Sequence, residues 1–323
     1  MKKNKKIAVL GCGYWGTIVI NTLISMKLFD KIYIYDPDLN KVNILINKFR
    51  KKIQYSNYKS IVNNIEIKDI FLATPPKNNF NLLKELIVAK KNILVEKPGL
   101  ISLKDFKIIK NLLKTNNVKL LFGYVYIYNQ YIKFIKKLIK SKKLGAIRYI
   151  NFQRQNFGPI RSNVSSIYDL ATHDLSILHF FFDKASVLKN KIKHDILKKK
   201  NFDISFLNLE IDKTKVDINV SWLNPEKIRK IIIIGSKKML VFDEMNNRKP
   251  IQIYDNYVNF PKIDKFSKNF FNQSKYIYKG KSRSVRFKEK KSLNEEIKHF
   301  LKSNMIITDI NFSEKIIKTI SKL

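Results

Sequence analysis

The sequence predicts an α/β protein: a doubly wound parallel sheet at the N-terminus, then a second α/β domain on a mixed or antiparallel sheet. Three observations carry this. Short apolar runs alternate with helical periodicity up to Phe122. The turn Gly11-Cys12-Gly13-Tyr14-Trp15-Gly16 joins the first run to the first helix. Beyond Gly123 the alternation stops and strand-like segments dominate. The expected domains are residues 1–122 and 123–323, a length that suits two cores.

Ile7 to Leu10 is an apolar run fit for a strand covered on both faces, and a helix follows from Thr17 to Met26. Lys31 to Tyr35 reads as the second strand and ends in Asp36. Leu39 to Lys51 is helical, with Val42, Leu45, Ile46 and Phe49 on one face. Ile53 to Tyr55 is a short strand and Tyr58 to Asn63 a short helix. Asp69 to Thr74 is a buried strand stopped by Pro75-Pro76. Asn78 to Ala89 is a helix, and Asn92 to Val95 a strand that runs into Glu96-Lys97-Pro98. Ser102 is expected to cap a helix from Leu103 to Lys114, and Val118 to Phe122 closes the series. In the second domain, Ile132 to Ser141 and Asp169 to Phe181 read as helices. Ile147 to Gln155, Asp203 to Glu210, Val216 to Trp222, Ile228 to Ile234 and Met239 to Phe242 read as strands. Leu293 to Lys302 and Phe312 to Ser321 are helical, and Val258 to Lys281 shows no readable pattern.

Composition narrows the function classes. Hydrophobic residues make up 45%, which predicts a packed globular chain. No run approaches the ~18 apolar residues of a membrane helix, and no apolar leader follows the basic N-terminus. The single cysteine, Cys12, excludes an intramolecular disulfide and suits a reducing, cytoplasmic setting. The net charge of +38 comes from lysines spread along the whole chain, with no nucleic-acid motif beside them. It reads as compositional bias on solvated faces, and no nucleic-acid partner is expected. Such a surface still attracts anionic ligands.

The chemistry starts at the glycine turn. In G-x-G-x-x-G, Gly11 permits the turn, Gly13 lets backbone approach a pyrophosphate, and Gly16 lets helix pack on strand. Asp36 falls 20 residues after Gly16, where a carboxylate accepts from ribose hydroxyls and repels a 2′-phosphate. NAD is therefore expected over NADP. Lys97, at the carboxyl end of a strand, can hold a substrate hydroxyl and stabilise charge that develops on it. Asp169 and His173 stand four residues apart on a helix turn, and a carboxylate beside an imidazole fixes its tautomer and raises its basicity. Alone, such a pair also reads as a helix cap beside a core histidine. Arg154, Asn156, Arg161 and Asn163 cluster ahead of it, and arginine forks suit a diphosphate or carboxylate.

Taken together and in this order, the glycine turn, Ala73-Thr74-Pro75-Pro76, Glu96-Lys97-Pro98, Gly123-Tyr124 with Tyr128-Asn129, and Asp169-x-x-x-His173 resemble the Gfo/Idh/MocA family of oxidoreductases. Val220-Ser221-Trp222-Leu223-Asn224-Pro225 and Gly235-Ser236-Lys237-Lys238 extend the resemblance over nearly the whole chain. The branch with Gly-Tyr-Trp-Gly in its turn is similar, and it is associated with nucleotide-sugar 3-dehydrogenases. The resemblance implies a Rossmann domain followed by an α/β domain with a large open sheet. It implies catalytic roles for Lys97, Asp169 and His173. Cofactor contacts are implied for Gly11, Gly13, Tyr14, Trp15 and Gly16, and for Asp36, Thr74, Pro75, Glu96 and Lys97. Lys97, Arg154, Asn156, Arg161, Asp169 and His173 are the expected substrate contacts, and no metal is expected. The implied activity is oxidation or reduction of a secondary alcohol of a sugar, such as C3 of UDP-N-acetylglucosamine or its uronate. An inositol or free-sugar dehydrogenase, or a non-catalytic nucleotide sensor on the same fold, are the alternatives. A homo-oligomer, dimer or tetramer, is expected because an open sheet has one face to cover. One departure from the family is Asn79, where many relatives carry a histidine.

Overall fold

The computed structural model describes residues 5–160, 164–184, 186–197, 202–258, 277–303 and 306–322. Arg161 and Asn163, and most of the unpatterned stretch from Val258 to Lys281, lie outside the described residues. The chain forms two compact units, residues 1–128 with 290–318, and residues 129–289 with 319–323.

The first unit is built on β1 (Lys6–Leu10), β2 (Lys31–Tyr35), β3 (Ile53–Tyr55), β4 (Asp69–Leu72), β5 (Asn92–Glu96) and β6 (Leu120–Gly123). They form one parallel sheet in the order β3-β2-β1-β4-β5-β6. The order reverses at β1, so the carboxyl ends of β1 and β4 frame the crevice where this topology holds ligands. The crossovers are α1 (Tyr14–Met26), α2 (Leu39–Phe49), α3 (Tyr58–Asn63), α4 (Pro76–Val88) and α5 (Leu103–Thr115). Asp38 caps α2 by accepting from the Asn40 N–H at 3.1 Å. The helix stops at Phe49, short of Lys51, where Arg50 turns to φ +47°. Ser102 stands at the start of α5 but closes no side-chain cap; its carbonyl accepts from Asp105 and Phe106 instead.

The second unit carries α6 (Gln130–Lys140), β7 (Ile147–Phe157), α7 (Thr172–Phe182), β8 (Val187–His194), β9 (Ile204–Ile211), β10 (Thr214–Ser221), β11 (Leu223–Gly235), β12 (Met239–Asp243) and β13 (Ile251–Tyr254). The small pair β14 (Tyr257–Val258) and β15 (Ile277–Tyr278) and the strand β16 (Ser282–Val285) complete it. Eight strands make a mixed sheet in the order β16-β13-β12-β11-β7-β10-β9-β8, parallel only between β7 and β10. Alternation marks one covered face: Ile150 and Phe152 of β7, Val216, Ile218 and Val220 of β10, and Leu207 and Leu209 of β9 are buried. Residues between them, such as Asn151 and Gln153, are half-buried. Strand β8 was not expected because nearly all its residues are exposed, so no apolar alternation announces it. Its lysines guard a sheet edge.

The chain then returns to the first unit through α8 (Ser292–Lys302) and most of α9 (Ile310–Ile320). Leu293, Ile297 and Phe300 of α8 join the core formed by β1, β2 and α1.

Candidate active site

In the first unit the glycine turn separates what the chain itself requires from what it does not. Gly11 has φ +100°, and a Cβ there would come within 2.6 Å of the Ala73 carbonyl. A Cβ on Gly16 would overlap the Gly11 carbonyl. These two glycines are demanded by the packing of β1, α1 and the end of β4. Gly13 is different: a Cβ there meets nothing within 4 Å. The N-terminus of α1 begins at that residue with no side-chain cap and no acid in its first turn, which leaves its N–H groups available to an anion.

Asp36 is oriented toward this turn. Its Oδ2 accepts from the Cys12 N–H at 2.8 Å and its Oδ1 from the Asp38 N–H at 2.9 Å, so the carboxylate is fixed although only 8% exposed. The neighbouring Cys12 thiol is pushed up to about 12, first by burial and then by the Asp36 charge, which removes it as a nucleophile at neutral pH.

The next two strand ends are tied together. The Thr74 hydroxyl donates to Asn79 Oδ1 at 2.5 Å, and Asn79 Nδ2 donates to the Gly99 carbonyl at 2.9 Å. Asn79 is fully buried and holds the turn after Lys97 against the turn after β4. Pro75, exposed, stands at the N-cap of α4. Lys97 is half-buried. In Glu96, Oε2 is out of contact with solvent, and it lies 2.8 Å from where a Cβ on Gly123 would sit. Burial pushes this carboxyl up to about 8, opposed by the Lys97 ammonium and by the Trp15 indole. The ten residues expected to touch a cofactor thus fall at the carboxyl ends of β1, β2, β4 and β5, with Tyr14, Trp15 and Gly16 in the first turn of α1.

In the second unit, Asp169 sits in a π-helical turn, Ile167–Ala171, that runs directly into α7. The expected continuous α-helix is widened here, as π-turns often are near functional groups. The buried Trp222 indole donates to Asp169 Oδ2 at 3.3 Å. His173 follows in the first turn of α7, half-buried, its carbonyl accepting from the Ser176 hydroxyl at 2.6 Å.

Arg154 falls inside the strand expected from Ile147 to Gln155. It lies within β7, 4% exposed, and its Nε and Nη2 donate to Asp174 Oδ1 at 2.9 and 2.8 Å. Burial pushes the Asp174 carboxyl up, and the Arg154 and Arg229 guanidiniums pull it back. Asn156 accepts from Arg229 Nη2 at 2.5 Å and donates to the Gly158 carbonyl. Arg229 also donates to the Gln155 carbonyl at 2.8 Å. The sequence carries no local signal for Arg229, Trp222 or Asp174 as partners of these groups, because each contact joins residues far apart in the chain.

A family profile described as "Oxidoreductase family, NAD-binding Rossmann fold" matches residues 5–124, and a "GFO/IDH/MocA C-terminal domain" profile matches residues 132–241. An uncharacterized oxidoreductase of Synechocystis is 22% identical over 57% of this chain and 53% of its own length. Glucose-6-phosphate 3-dehydrogenase of Bacillus subtilis is 22% identical over 55% of this chain and 54% of its own. The matches therefore span about half the length of these curated relatives. Among solved structures, UDP-N-acetylglucosamine 3-dehydrogenase from Acidithiobacillus ferrooxidans superposes with a TM-score of 0.80 at 15% identity, covering 98% of this chain and 95% of that one. That likeness is one of fold. With both profiles matched in order, and with the parallel sheet and the mixed sheet each in place, the chain belongs to the Gfo/Idh/MocA family of oxidoreductases.

Proposed function

We propose that the protein is an NAD-dependent dehydrogenase acting on a secondary alcohol of a sugar, with a nucleotide sugar oxidised or reduced at C3 as the leading substrate. The observation that carries the cofactor reading is Gly13. The fold does not need a glycine there, whereas a pyrophosphate passing the uncapped start of α1 does. Asp36, fixed by two backbone donors, supports NAD over NADP, since a 2′-phosphate would meet its charge. When bound, the nicotinamide supplies the hydride acceptor or donor. The protein's part is to hold and move the proton: Lys97 presents a cation to the alcohol oxygen, His173 takes the hydroxyl proton, and Asp169, held by Trp222, orients the imidazole. Two of the similar proteins are 3-dehydrogenases of phosphorylated or nucleotide-linked sugars. An anionic sugar also suits a chain of net charge +38. A cytoplasmic homo-oligomer, with a second copy on the half-buried sheet face, completes the reading; light scattering that gives a monomer refutes that last element.

The direct test combines a fluorescence titration with a substrate screen. Wild type should bind NADH more tightly than NADPH, and Gly13→Val should lose NADH while keeping its circular dichroism. Unchanged binding in Gly13→Val, or a preference for NADPH, would overturn the cofactor assignment. A panel of nucleotide sugars, sugar phosphates and inositols, read by NAD reduction, identifies the substrate class.

A further inference from the structure

The second unit holds a buried charge cluster beside the turn that carries His173. Strands β7 and β11 pair antiparallel with Arg154 directly opposite Arg229, so the two side chains leave one face of the sheet. On β7 that face also carries the buried Ile150 and Phe152. Like charges set opposite one another repel. The counter-charge comes from α7. Asp174, 2% exposed, accepts at Oδ1 from Arg154 Nε at 2.9 Å and Nη2 at 2.8 Å. Its other oxygen, Oδ2, is enclosed and has no hydrogen-bond partner among the described residues. The Arg229 charge acts on the same carboxylate. Arg229 is itself held by the Gln155 and Ile228 carbonyls, each at 2.8 Å, and by Asn156 Oδ1 at 2.5 Å.

This clamp stands where α7 needs one. The helix starts from the π-helical turn Ile167–Ala171, whose wider repeat breaks the 3.6-residue register. Helix periodicity alone therefore does not align Asp169 with His173. The Thr172 hydroxyl donates to the Tyr168 carbonyl at 2.6 Å, but that bond lies within the turn and fixes nothing against the sheet. Asp174 supplies the fixed point, because its partner is on β7. From Ala171 to Phe181 every residue except His173 is buried. His173 stands about 100° round the helix from Asp174, so the residue that anchors the turn and the residue that is left accessible are neighbours in the chain.

We infer that Asp174, clamped by Arg154 with Arg229 opposite, is a positioning residue for the reaction: it fixes the first turn of α7 against the sheet, and so fixes where the His173 imidazole meets the substrate hydroxyl. Asp174 touches neither substrate nor cofactor. Arg154, expected from the sequence to contact substrate, acts through Asp174 instead. This rests on the dehydrogenase reading above and adds to it a buried tier of residues whose loss lowers turnover and leaves the cofactor in place. A shift of about 1 Å in a reacting group can cost on the order of 10²-fold in rate, so a clamp two bonds wide is enough to matter.

The test compares Asp174→Ala with the conservative Asp174→Asn, whose amide oxygen still accepts from Arg154. At a temperature where both are folded, Asp174→Ala should lower kcat by about 10²-fold and leave KM and NADH affinity near wild type. Asp174→Asn should recover part of that loss. The rate should keep the pH dependence of the His173 base, which His173→Ala abolishes. Should Asp174→Ala not fold, Arg154→Lys takes its place: it keeps the charge, gives up the fork, and should cost about tenfold in kcat. A second readout needs no turnover. The His173 ring signals in NMR spectra of the cofactor-free protein, assigned with His173→Gln, should shift in Asp174→Ala or Arg154→Lys and return toward wild type in Asp174→Asn. Turnover per folded molecule equal to wild type in Asp174→Ala or Arg154→Lys, or a loss confined to KM, overturns the inference. If wild type turns over no substrate of the panel, the dehydrogenase reading fails on its own, and His173 signals that stay in place in these variants then overturn the clamp.

Discussion

Around Gly13 the polar groups are backbone N–H donors at the start of a helix, with one carboxylate fixed by two more of them. Around His173 they are side chains held by other side chains: Trp222 on Asp169, and Arg154 on Asp174 one residue beyond the histidine. The first arrangement is local in sequence, because a strand, a turn and a helix follow one another directly. The second is assembled across β7, β10 and α7 and depends on burial. A backbone-built site fails when a side chain is added to it. A site built from side chains fails when one is removed, and its supports should be as sensitive as its chemistry.

The largest effect expected from this contrast is on turnover. His173→Ala should lower it by about 10² to 10⁴, the usual worth of one general acid–base group, with NADH binding unchanged. Asp169→Asn should cost less, since an amide still accepts from Trp222 but cannot stabilise an imidazolium. The pH dependence that the base gives the rate profile should disappear with the histidine. A drop in melting temperature with normal turnover per folded molecule would instead make His173 a packing residue.

Next in size is the support beneath it. Removing one partner of a buried ion pair strands the other charge, so Arg154→Ala should lower stability by about 3–5 kcal/mol in urea unfolding. Gly13→Val, by contrast, should leave the unfolding midpoint close to wild type, because nothing lies within 4 Å of the added Cβ. If Arg154→Ala unfolds like wild type, the second region is less dependent on side-chain support than the contrast holds.

The same difference governs what could be read from the sequence. The parallel sheet, its strand ends and the glycine turn were legible because their signals are local: apolar runs, glycine spacing, and an acid at a fixed offset. Arg154 shows the limit. Its strand was legible, but nothing within it shows that the alternation of β7 turns the guanidinium inward onto Asp174. Strand β8 was hidden by its exposure, since no apolar alternation marks it.

Asn79 tests the contrast at its finest. It stands in the backbone-built region, yet it is a buried side chain that joins Thr74 to Gly99. Asn79→Ala would leave the Gly99 carbonyl and the Thr74 hydroxyl without it, a loss of about 1–3 kcal/mol. Asn79→Asp sharpens the case. A carboxylate still accepts from Thr74, but it turns a second oxygen toward the Gly99 carbonyl in place of a donor. Once protonated, that oxygen can donate. The carboxyl should therefore titrate higher in the folded chain than in the unfolded one, and its contribution is present at acid pH and lost as pH rises through its folded value. Urea midpoints of Asn79→Asp should approach wild type on acidification and fall away toward neutrality, while Asn79→Ala stays offset by a constant amount. Parallel curves for the two variants would show that Asn79 fills space there rather than joining the two turns.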